Sequence, residues 1–164
     1  MDLDLFRQTV FESAELRDRL VGLHGLRNVE LSRGTVHLEL HGVKVSVLVY
    51  PYPLLFPPSM FDGLTVADPR DIACMKLDAI GSRGARRDFV DLYAAAEIYG
   101  LPAIFQWFAE KYAAAPYNRA HLLKALTYFV DAEQEPLPDM LIPLDWPIVK
   151  KYFAHEVPRL VRLP

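Results

Sequence analysis

One lysine and two aspartates stand close together in the middle of this chain. Lys76 lies four residues after Ile72, in a segment whose apolar residues recur at helical spacing, so the pattern places it within the apolar stripe. A cation in that position needs a partner, a ligand or a route back to water. Asp88 and Asp91 are three residues apart and share one face of the next helix. With the arginines between them, these residues suit a triphosphate and its metal ion.

The same charges also have an ordinary structural explanation. The arginines are Arg83, Arg86 and Arg87, and Arg87 has the i,i+4 spacing to Asp91 of a helical ion pair, worth about 0.2–0.5 kcal/mol. A lysine at the edge of an apolar stripe commonly extends its ammonium group to water. Acidic residues in the first turn of a helix complement its dipole. Spacing alone leaves both interpretations open.

A second pair of carboxylates stands at the start of the chain. If the first residues form a strand, Asp2 and Asp4 lie side by side on one face, and Leu3 and Leu5 face the core. Two carboxylates with this spacing can hold one or two Mg²⁺ ions, which in turn hold a transferring phosphate group. The alternative is a frayed acidic terminus.

Two helices joined by a short glycine turn are predicted to position the central residues. Asp68 is the expected cap of the first helix, Pro69 suits its first position, and Asp71 stands where a capping-box acid would. Residues 81–84 form the turn, and the second helix runs from about residue 85 to Gly100. The predicted apolar stripes are Ile72, Met75, Ala79 and Ile80 on the first helix, and Phe89, Leu92, Tyr93 and Ala96 on the second.

A β region is predicted before these helices. Alternating apolar and polar residues on both sides of His41-Gly42 predict a β-hairpin with one buried face. His37 and His41 fall on its polar face, where solvated histidines are expected. Four prolines make residues 50–58 a loop. In chain order, the remaining predictions are a helix over 9–23 and strands over 29–31, 35–40, 43–50 and 64–66.

The chain after Gly100 is predicted to be mostly helical. The predicted segments are helices over 102–114, 118–129 and 146–161 and a loop over 131–139. The fold class is therefore α+β, with a small mixed sheet backed by helices and a mostly helical C-terminal half. A single domain over 1–164 is expected, with a sheet-containing part, 1–66, and a helical part, 67–164.

Composition limits the class of protein. Of 164 residues, 52% are apolar and 24% charged, which is typical of a globular domain. The net charge of −3 gives no overall basic footprint for nucleic acid. The single cysteine, Cys74, excludes an intramolecular disulfide and a multi-cysteine metal site, and is expected in the core. No signal peptide or membrane-spanning run is seen, so a cytoplasmic protein without a membrane partner is expected.

Residues 71–93, DIACMKLDAIGSRGARRDFVDLY, resemble the signature of the AbiEii/AbiGii-type nucleotidyltransferases, the toxin family of type IV toxin–antitoxin systems. That signature has a helical lysine, a basic turn, and Arg/Lys-Asp followed by a second Asp three residues on. The resemblance extends from DLDLF at residues 2–6 to LDWPIVKKYF at residues 144–153. It implies a nucleotidyltransferase-like fold and transfer of a nucleoside monophosphate (NMP) from a nucleoside triphosphate (NTP) to an acceptor such as tRNA or a protein.

The resemblance also implies roles for particular residues. Asp2 and Asp4 would be the Mg²⁺ ligands. The residues that would bind the nucleotide are Lys76, Arg83 and Arg87. The catalytic set would be Asp2, Asp4, Lys76, Asp88 and Asp91, with Asp88 or Asp91 orienting the helix pair or acting near the acceptor hydroxyl. A cognate antitoxin is an implied partner, and a homodimer through an exposed sheet edge is a further expectation.

The sequence departs from the family pattern at two points. In the family, a Gly-Gly or Gly-Ser turn before the first strand binds the triphosphate through backbone N–H groups; the sequence before Asp2 does not contain it. A third carboxylate is expected near Ser46, where serine is a poor substitute, and Glu39 is the alternative acid. The second functional hypothesis is therefore a catalytically inactive or truncated relative that binds a protein or RNA.

Overall fold

The computed structural model describes residues 2–140 and 143–161, apart from the side chain of Asp2. The chain divides into two compact units, Met1–Pro53 and Leu54–Pro164. The first is rich in strands and the second in helices, which confirms the α+β class, although the division falls before the boundary expected at residue 66. The single domain stays a prediction. No helix among the described residues has the length and apolar composition needed to cross a membrane.

A four-stranded mixed sheet and one helix make up the first unit. Its elements are β1 (Asp2–Arg7), α1 (Ser13–Leu20), β2 (Leu26–Ser32), β3 (Thr35–Leu40) and β4 (Val43–Val49). The strand order is β1-β4-β3-β2, so β1 forms an edge. β1 runs parallel to β4, and the other neighbours are antiparallel. The predicted strand at the start of the chain and the predicted hairpin are therefore confirmed.

The core of this unit lies between the sheet and α1. Val36, Leu38 and Val47 are buried on one sheet face, and Leu16 and Leu20 of α1 pack against them. The helix is shorter than the predicted 9–23 because the chain reaches the core through Phe11, before the helix begins. Val10, an expected member of the helix, is exposed.

The hairpin turn fixes which residues share a face of the sheet. His41 and Gly42 both have positive φ angles, 52° and 83°, as a two-residue turn of type I′ requires. β3 and β4 then pair in an unbroken register from Thr35–Leu48 to Leu40–Val43. All the side chains that alternate with Val36, Leu38 and Val47 consequently lie on the face away from α1.

Helices dominate the second unit. Its elements are β5 (Ser59–Phe61), β6 (Leu64–Val66), α2 (Pro69–Ser82), α3 (Arg86–Tyr99), α4 (Leu101–Lys111), α5 (Arg119–Ala125), α6 (Val130–Glu133) and α7 (Trp146–Val161). α2 continues through Gly81, so the turn between the helix pair is shorter than predicted. α5 ends before residue 129, and α6 falls within the segment predicted as a loop. α7 passes Pro158 because the buried Val157 and Leu160 hold its last turn in the core.

Aromatic side chains fill the core of the second unit. Phe89 of α3 is fully buried, and its ring centroid lies 5.3–5.9 Å from those of Phe129, Trp146 and Phe153. Burial of large aromatic surfaces accounts for much of the stability of such cores. The predicted place of Phe89 on the apolar stripe of its helix is confirmed.

A buried ion pair joins α2 to α4. The Nζ atom of Lys111 donates to Oδ1 of Asp71 at 2.7 Å, and both side chains are inaccessible to solvent. The Asp71 carboxylate also accepts hydrogen bonds from the backbone N–H groups of Leu55 and Phe56. Asp71 is therefore not the capping-box acid that the sequence suggested; it is a buried acceptor that attaches the proline-rich loop to α2.

The predicted cap of α2 and the predicted burial of its cysteine are confirmed. Asp68 accepts a hydrogen bond from the backbone N–H of Arg70 at 2.9 Å, and its bond with the Arg70 guanidinium lowers the pKa of Asp68. Cys74 is fully buried in the core. Burial raises the pKa of this thiol to about 12, so it is protonated at neutral pH.

Candidate active site

Lys76 lies at the edge of the buried face of α2 rather than within it. The buried apolar residues of this helix are Ala73, Cys74, Leu77 and Ile80, whereas Ile72 is 37% exposed. The predicted stripe was therefore rotated by about one residue, because the alternative set also fits helical spacing. Lys76 nevertheless keeps a charged environment, with its side chain 27% exposed.

Asp88 is the buried centre of this charged group. Its carboxylate is fully buried, and Arg83 holds it through two hydrogen bonds, from Nε at 2.8 Å and from Nη2 at 3.0 Å. The Nζ atom of Lys76 lies 3.6 Å from Oδ1 of the same carboxylate. A charge-assisted, bidentate arginine–carboxylate pair is strong and fixes the direction of both groups. Asp88 thus determines where the two cations stand.

Asp91 is the second acid in contact with Lys76. The distance from Nζ of Lys76 to Oδ2 of Asp91 is 2.7 Å, and Asp91 is 49% exposed. The prediction that Asp88 and Asp91 share a face is confirmed, since one lysine contacts both. Because Arg83 is also 53% exposed, this acidic and basic group reaches the surface of the second unit.

The two other arginines of the basic turn differ in their surroundings. Arg86 has a structural role: its Nε donates to the carbonyl of Ala132 at 2.8 Å and its Nη2 to that of Glu133 at 3.0 Å. Its guanidinium also lies 5.1 Å from the ring centroid of Trp146. Arg87 is exposed on the first turn of α3. The residues that the structure brings together are therefore Lys76, Arg83, Asp88 and Asp91.

Asp4 lies in the first unit, in a row of side chains that crosses the sheet. Asp4 of β1 pairs in register with Ser46 of β4, and Ser46 pairs with His37 of β3. All three lie on the face away from α1. The backbone of Asp2 pairs with Lys44, and the Asp2 side chain lies outside the described residues. Asp2 and Asp4 are thus both residues of β1, separated by one, and the metal pair itself stays a prediction.

The position expected for a third carboxylate is occupied by Ser46, directly beside Asp4. The Oγ atom of Ser46 lies 3.1 Å from Nδ1 of His37. Glu39, the alternative acid, accepts a hydrogen bond from Asn28 at 3.1 Å and stands two strands away from β1. Two strand spacings amount to about 10 Å. Glu39 is therefore not brought beside Asp4.

The donors on β1 fit Mg²⁺ by their chemistry. Carboxylate oxygens are hard ligands of the kind that Mg²⁺ prefers, and Mg²⁺ sites usually combine one or two carboxylates with water and substrate phosphates. Asp4 is exposed and available for this role. Over the described side chains, no group of three His, Cys, Asp or Glu residues is placed to hold a metal ion.

Two groups of residues were missed in the sequence although it contained signals for them. Counting outward from the turn at 41 and 42 pairs His37 with Ser46. Lys111 follows Phe108 by three residues, so it falls on the buried stripe of its own helix and requires a buried acid. Asp71 is that acid, but its place near the start of α2 suggested a capping role instead. The Asp62-Gly63 pair, with positive φ angles, likewise signals the missed β5–β6 hairpin.

Comparison with known proteins identifies the family of this chain. The family model for the nucleotidyl transferase AbiEii toxin of type IV toxin–antitoxin systems matches residues 2–161. An uncharacterised protein of Aquifex aeolicus (strain VF5) is 32% identical over 160 residues, which cover 95% of this chain and 76% of that protein. The crystal structure of JHP933 from Helicobacter pylori aligns with a TM-score of 0.41 at 14% identity, covering 98% of this chain and 79% of that one. The match over residues 2–161 confirms the resemblance seen in the sequence: the chain belongs to the AbiEii nucleotidyl transferase toxin family of type IV toxin–antitoxin systems.

Proposed function

We propose that this protein transfers the NMP group of an NTP to an acceptor such as tRNA in a Mg²⁺-dependent reaction. The observation that carries the proposal is the buried Asp88 carboxylate, which holds Arg83 and Lys76 at the surface of one helix pair. Charged residues on an ordinary protein surface need no buried partner, whereas Lys76 and Arg83 share one fully buried acid. Membership of a nucleotidyl transferase family supports a triphosphate as the anion.

In this proposal the four residues of the second unit have separate roles. Lys76 and Arg83 bind the phosphates, because both present N–H donors at the surface. Asp88 positions them from beneath. Asp91 holds Lys76 until a triphosphate, with its larger negative charge, competes for the ammonium group. Arg87 adds positive charge on the same helix and would contact the nucleotide from its first turn.

Asp2 and Asp4 would hold the Mg²⁺ ion in the first unit. Bound Mg²⁺ would neutralise phosphate charge and stabilise the charge that develops on the leaving group. The β1 backbone, which pairs with β4 over its whole length, would fix the position of this site. The proposal assigns both carboxylates to the ion, which is within the one or two that Mg²⁺ sites usually combine with water and substrate phosphates.

The proposed partners follow from the family and from the sheet. A type IV toxin family implies a cognate antitoxin and a nucleotide substrate. We place the reaction in the cytoplasm, where NTPs and tRNA are both present, and retain a protein as the other acceptor class. β1 pairs on one side only among the described strands, so a homodimer through that edge belongs to the same proposal.

A binding-only relative is the second candidate function. The specific observation in its favour is Ser46, which stands beside Asp4 where an acid would be expected. A serine hydroxyl contributes no charge to a metal site. In that case the protein would act by binding an antitoxin or RNA.

Calorimetric titration of each NTP with Mg²⁺ tests the proposal. The unmodified chain is expected to bind at least one NTP, Lys76→Ala to weaken binding at least about tenfold, and Asp2→Asn with Asp4→Asn to remove its Mg²⁺ dependence. Lys151→Ala, which removes an exposed lysine of α7, is the matched control and should change nothing. Unchanged binding in Lys76→Ala removes this lysine from the mechanism. No binding of any NTP by the unmodified chain would favour the second candidate.

A further inference from the structure

We propose that His37 is the proton acceptor for the acceptor hydroxyl in this reaction, and that Ser46 positions it. The inference rests on the proposed function, and it names a catalytic residue that lies outside the carboxylate and lysine set. The observation behind it is the row Asp4, Ser46 and His37, which crosses β1, β4 and β3 on one face of the first unit.

The contact with Ser46 accommodates the tautomer of His37 that the proposed step requires. When Nδ1–H donates to Oγ of Ser46 across the 3.1 Å contact, Nε2 carries the unprotonated lone pair. The imidazole ring is exposed, so Nε2 is accessible to a substrate on this face. A base held in one tautomer by a second residue is the usual arrangement of an acid–base catalyst.

The spacing across the sheet suits the substrate that would lie there. His37 and Asp4 are separated by β4, so their backbones are about 10 Å apart. That separation leaves room for a phosphate held near Asp4 and an acceptor hydroxyl held near His37. Ser46 lies between them and adds a neutral hydroxyl where a second anion would repel the phosphate.

The proposed step balances without another reactant. The acceptor O–H bond breaks and its proton goes to Nε2 of His37. The acceptor oxygen forms a bond to the α-phosphorus of the NTP, the bond from that phosphorus to the bridging oxygen breaks, and pyrophosphate leaves with the electron pair. The imidazolium ion then returns its proton to solvent. Among the described side chains, the charged groups that share this face of the sheet are Asp4, Lys44, Glu39, Glu30 and Arg27.

Two substitutions separate the base from the contact with Ser46. His37→Asn places an amide N–H near the position of Nδ1 and retains a donor to Ser46, but it has no basic nitrogen. Ser46→Ala retains the imidazole and removes its partner. His24→Ala, an exposed histidine of the same unit, is the matched control. Circular dichroism melting curves verify that every variant is folded.

The assay measures transfer of label from each α-phosphate-radiolabelled NTP to total tRNA and to total protein with Mg²⁺, together with NTP binding by calorimetry. We expect His37→Asn to lower kcat by about a hundred- to ten-thousand-fold without changing NTP binding, and to remove the acidic limb of the pH–rate profile. Ser46→Ala should lower kcat less, by about tenfold, and His24→Ala should leave it unchanged.

The outcomes distinguish the inference from the function on which it rests. Transfer by His37→Asn at the unmodified rate and with the same pH profile overturns the role of His37 and leaves the transferase intact. A fall in NTP binding equal to the fall in kcat overturns it as well, because His37 would then bind substrate. If the unmodified chain transfers no label, the proposed function fails and this inference falls with it.

Discussion

Replacing Lys111 by methionine is expected to lower the free energy of unfolding of the helical unit by at least about 3 kcal/mol. The substitution keeps an unbranched side chain of similar length and removes only the charge. It leaves the Asp71 carboxylate fully buried without its cation. Removing one partner of a buried ion pair costs about 3–5 kcal/mol, because an uncompensated charge stays in the core.

The contacts of Asp71 indicate the lower end of that range. The backbone N–H groups of Leu55 and Phe56 donate to the carboxylate at 3.0–3.1 Å, and the substitution does not remove these donors. Hydrogen bonds to a charged group contribute about 1.5–3 kcal/mol each, so part of the solvation of the carboxylate remains. A loss of about 3 kcal/mol corresponds to a fall in melting temperature of about 6–12 °C in a chain of this size.

Urea unfolding followed by circular dichroism measures this loss, with Lys151→Met as the matched control. Lys151 is exposed on α7, so its substitution should change stability by less than about 0.5 kcal/mol. The double variant Asp71→Asn with Lys111→Met provides a further comparison. In that variant an amide oxygen at position 71 still accepts from Leu55 and Phe56, and neither member of the former ion pair carries a charge. We therefore expect the double variant to be more stable than either single variant.

Two results would refute this reasoning. A loss below about 1 kcal/mol in Lys111→Met would mean that water reaches Asp71 and that the pair is not buried in solution. A double variant that is less stable than both single variants would mean that the charges themselves stabilise the core. Either result would require another explanation for the attachment of residues 54–56 to α2.

Three further predictions concern other parts of the chain. Cys74 should react with a thiol reagent at mild alkaline pH only after denaturation, which the absorbance of the released reagent would record. Stability should decline from pH 9, where the unfolded thiol ionises, toward about pH 12, which melting curves would record. Asp68→Ala should cost about 1 kcal/mol of α2 capping energy in urea unfolding at neutral pH, whereas Asp68→Asn should retain the cap; because the folded pKa of Asp68 lies below its ordinary 3.8, the contribution of its charge should be lost as pH falls below that value. Light scattering should detect a dimer that Leu3→Lys on the edge strand β1 weakens, and a monomer at high concentration would contradict it.

The sequence predicted the elements whose patterns are local. The alternation around His41-Gly42 gave the hairpin and its buried face, and the cap at Asp68 gave the start of α2, since both depend on neighbouring residues only. The spacing of Asp88 and Asp91 placed both acids beside Lys76. These features need no knowledge of how distant segments pack.

The features that the sequence did not reveal depend on distant contacts. The buried face of α2 was misplaced by about one residue because two sets of apolar residues fit the same helical period, and only packing selects between them. Asp71 and Lys111 are forty residues apart, so their pairing depends on the packing of α4 on α2. Arg86 lies in the same basic cluster of the sequence as Arg83, but its guanidinium donates to the carbonyl groups of Ala132 and Glu133, which a local pattern does not predict.

The two-residue turn at His41 and Gly42 limits how this protein can change in length during evolution. Insertion of a single residue there would exchange the two faces of β4, because side chains alternate along a strand. Val47 would leave the apolar core and Ser46 would leave its place beside Asp4, so one event would damage stability and chemistry together. Relatives should therefore gain and lose residues in segments such as the proline-rich loop, while the spacing of nine residues between His37 and Ser46 stays fixed.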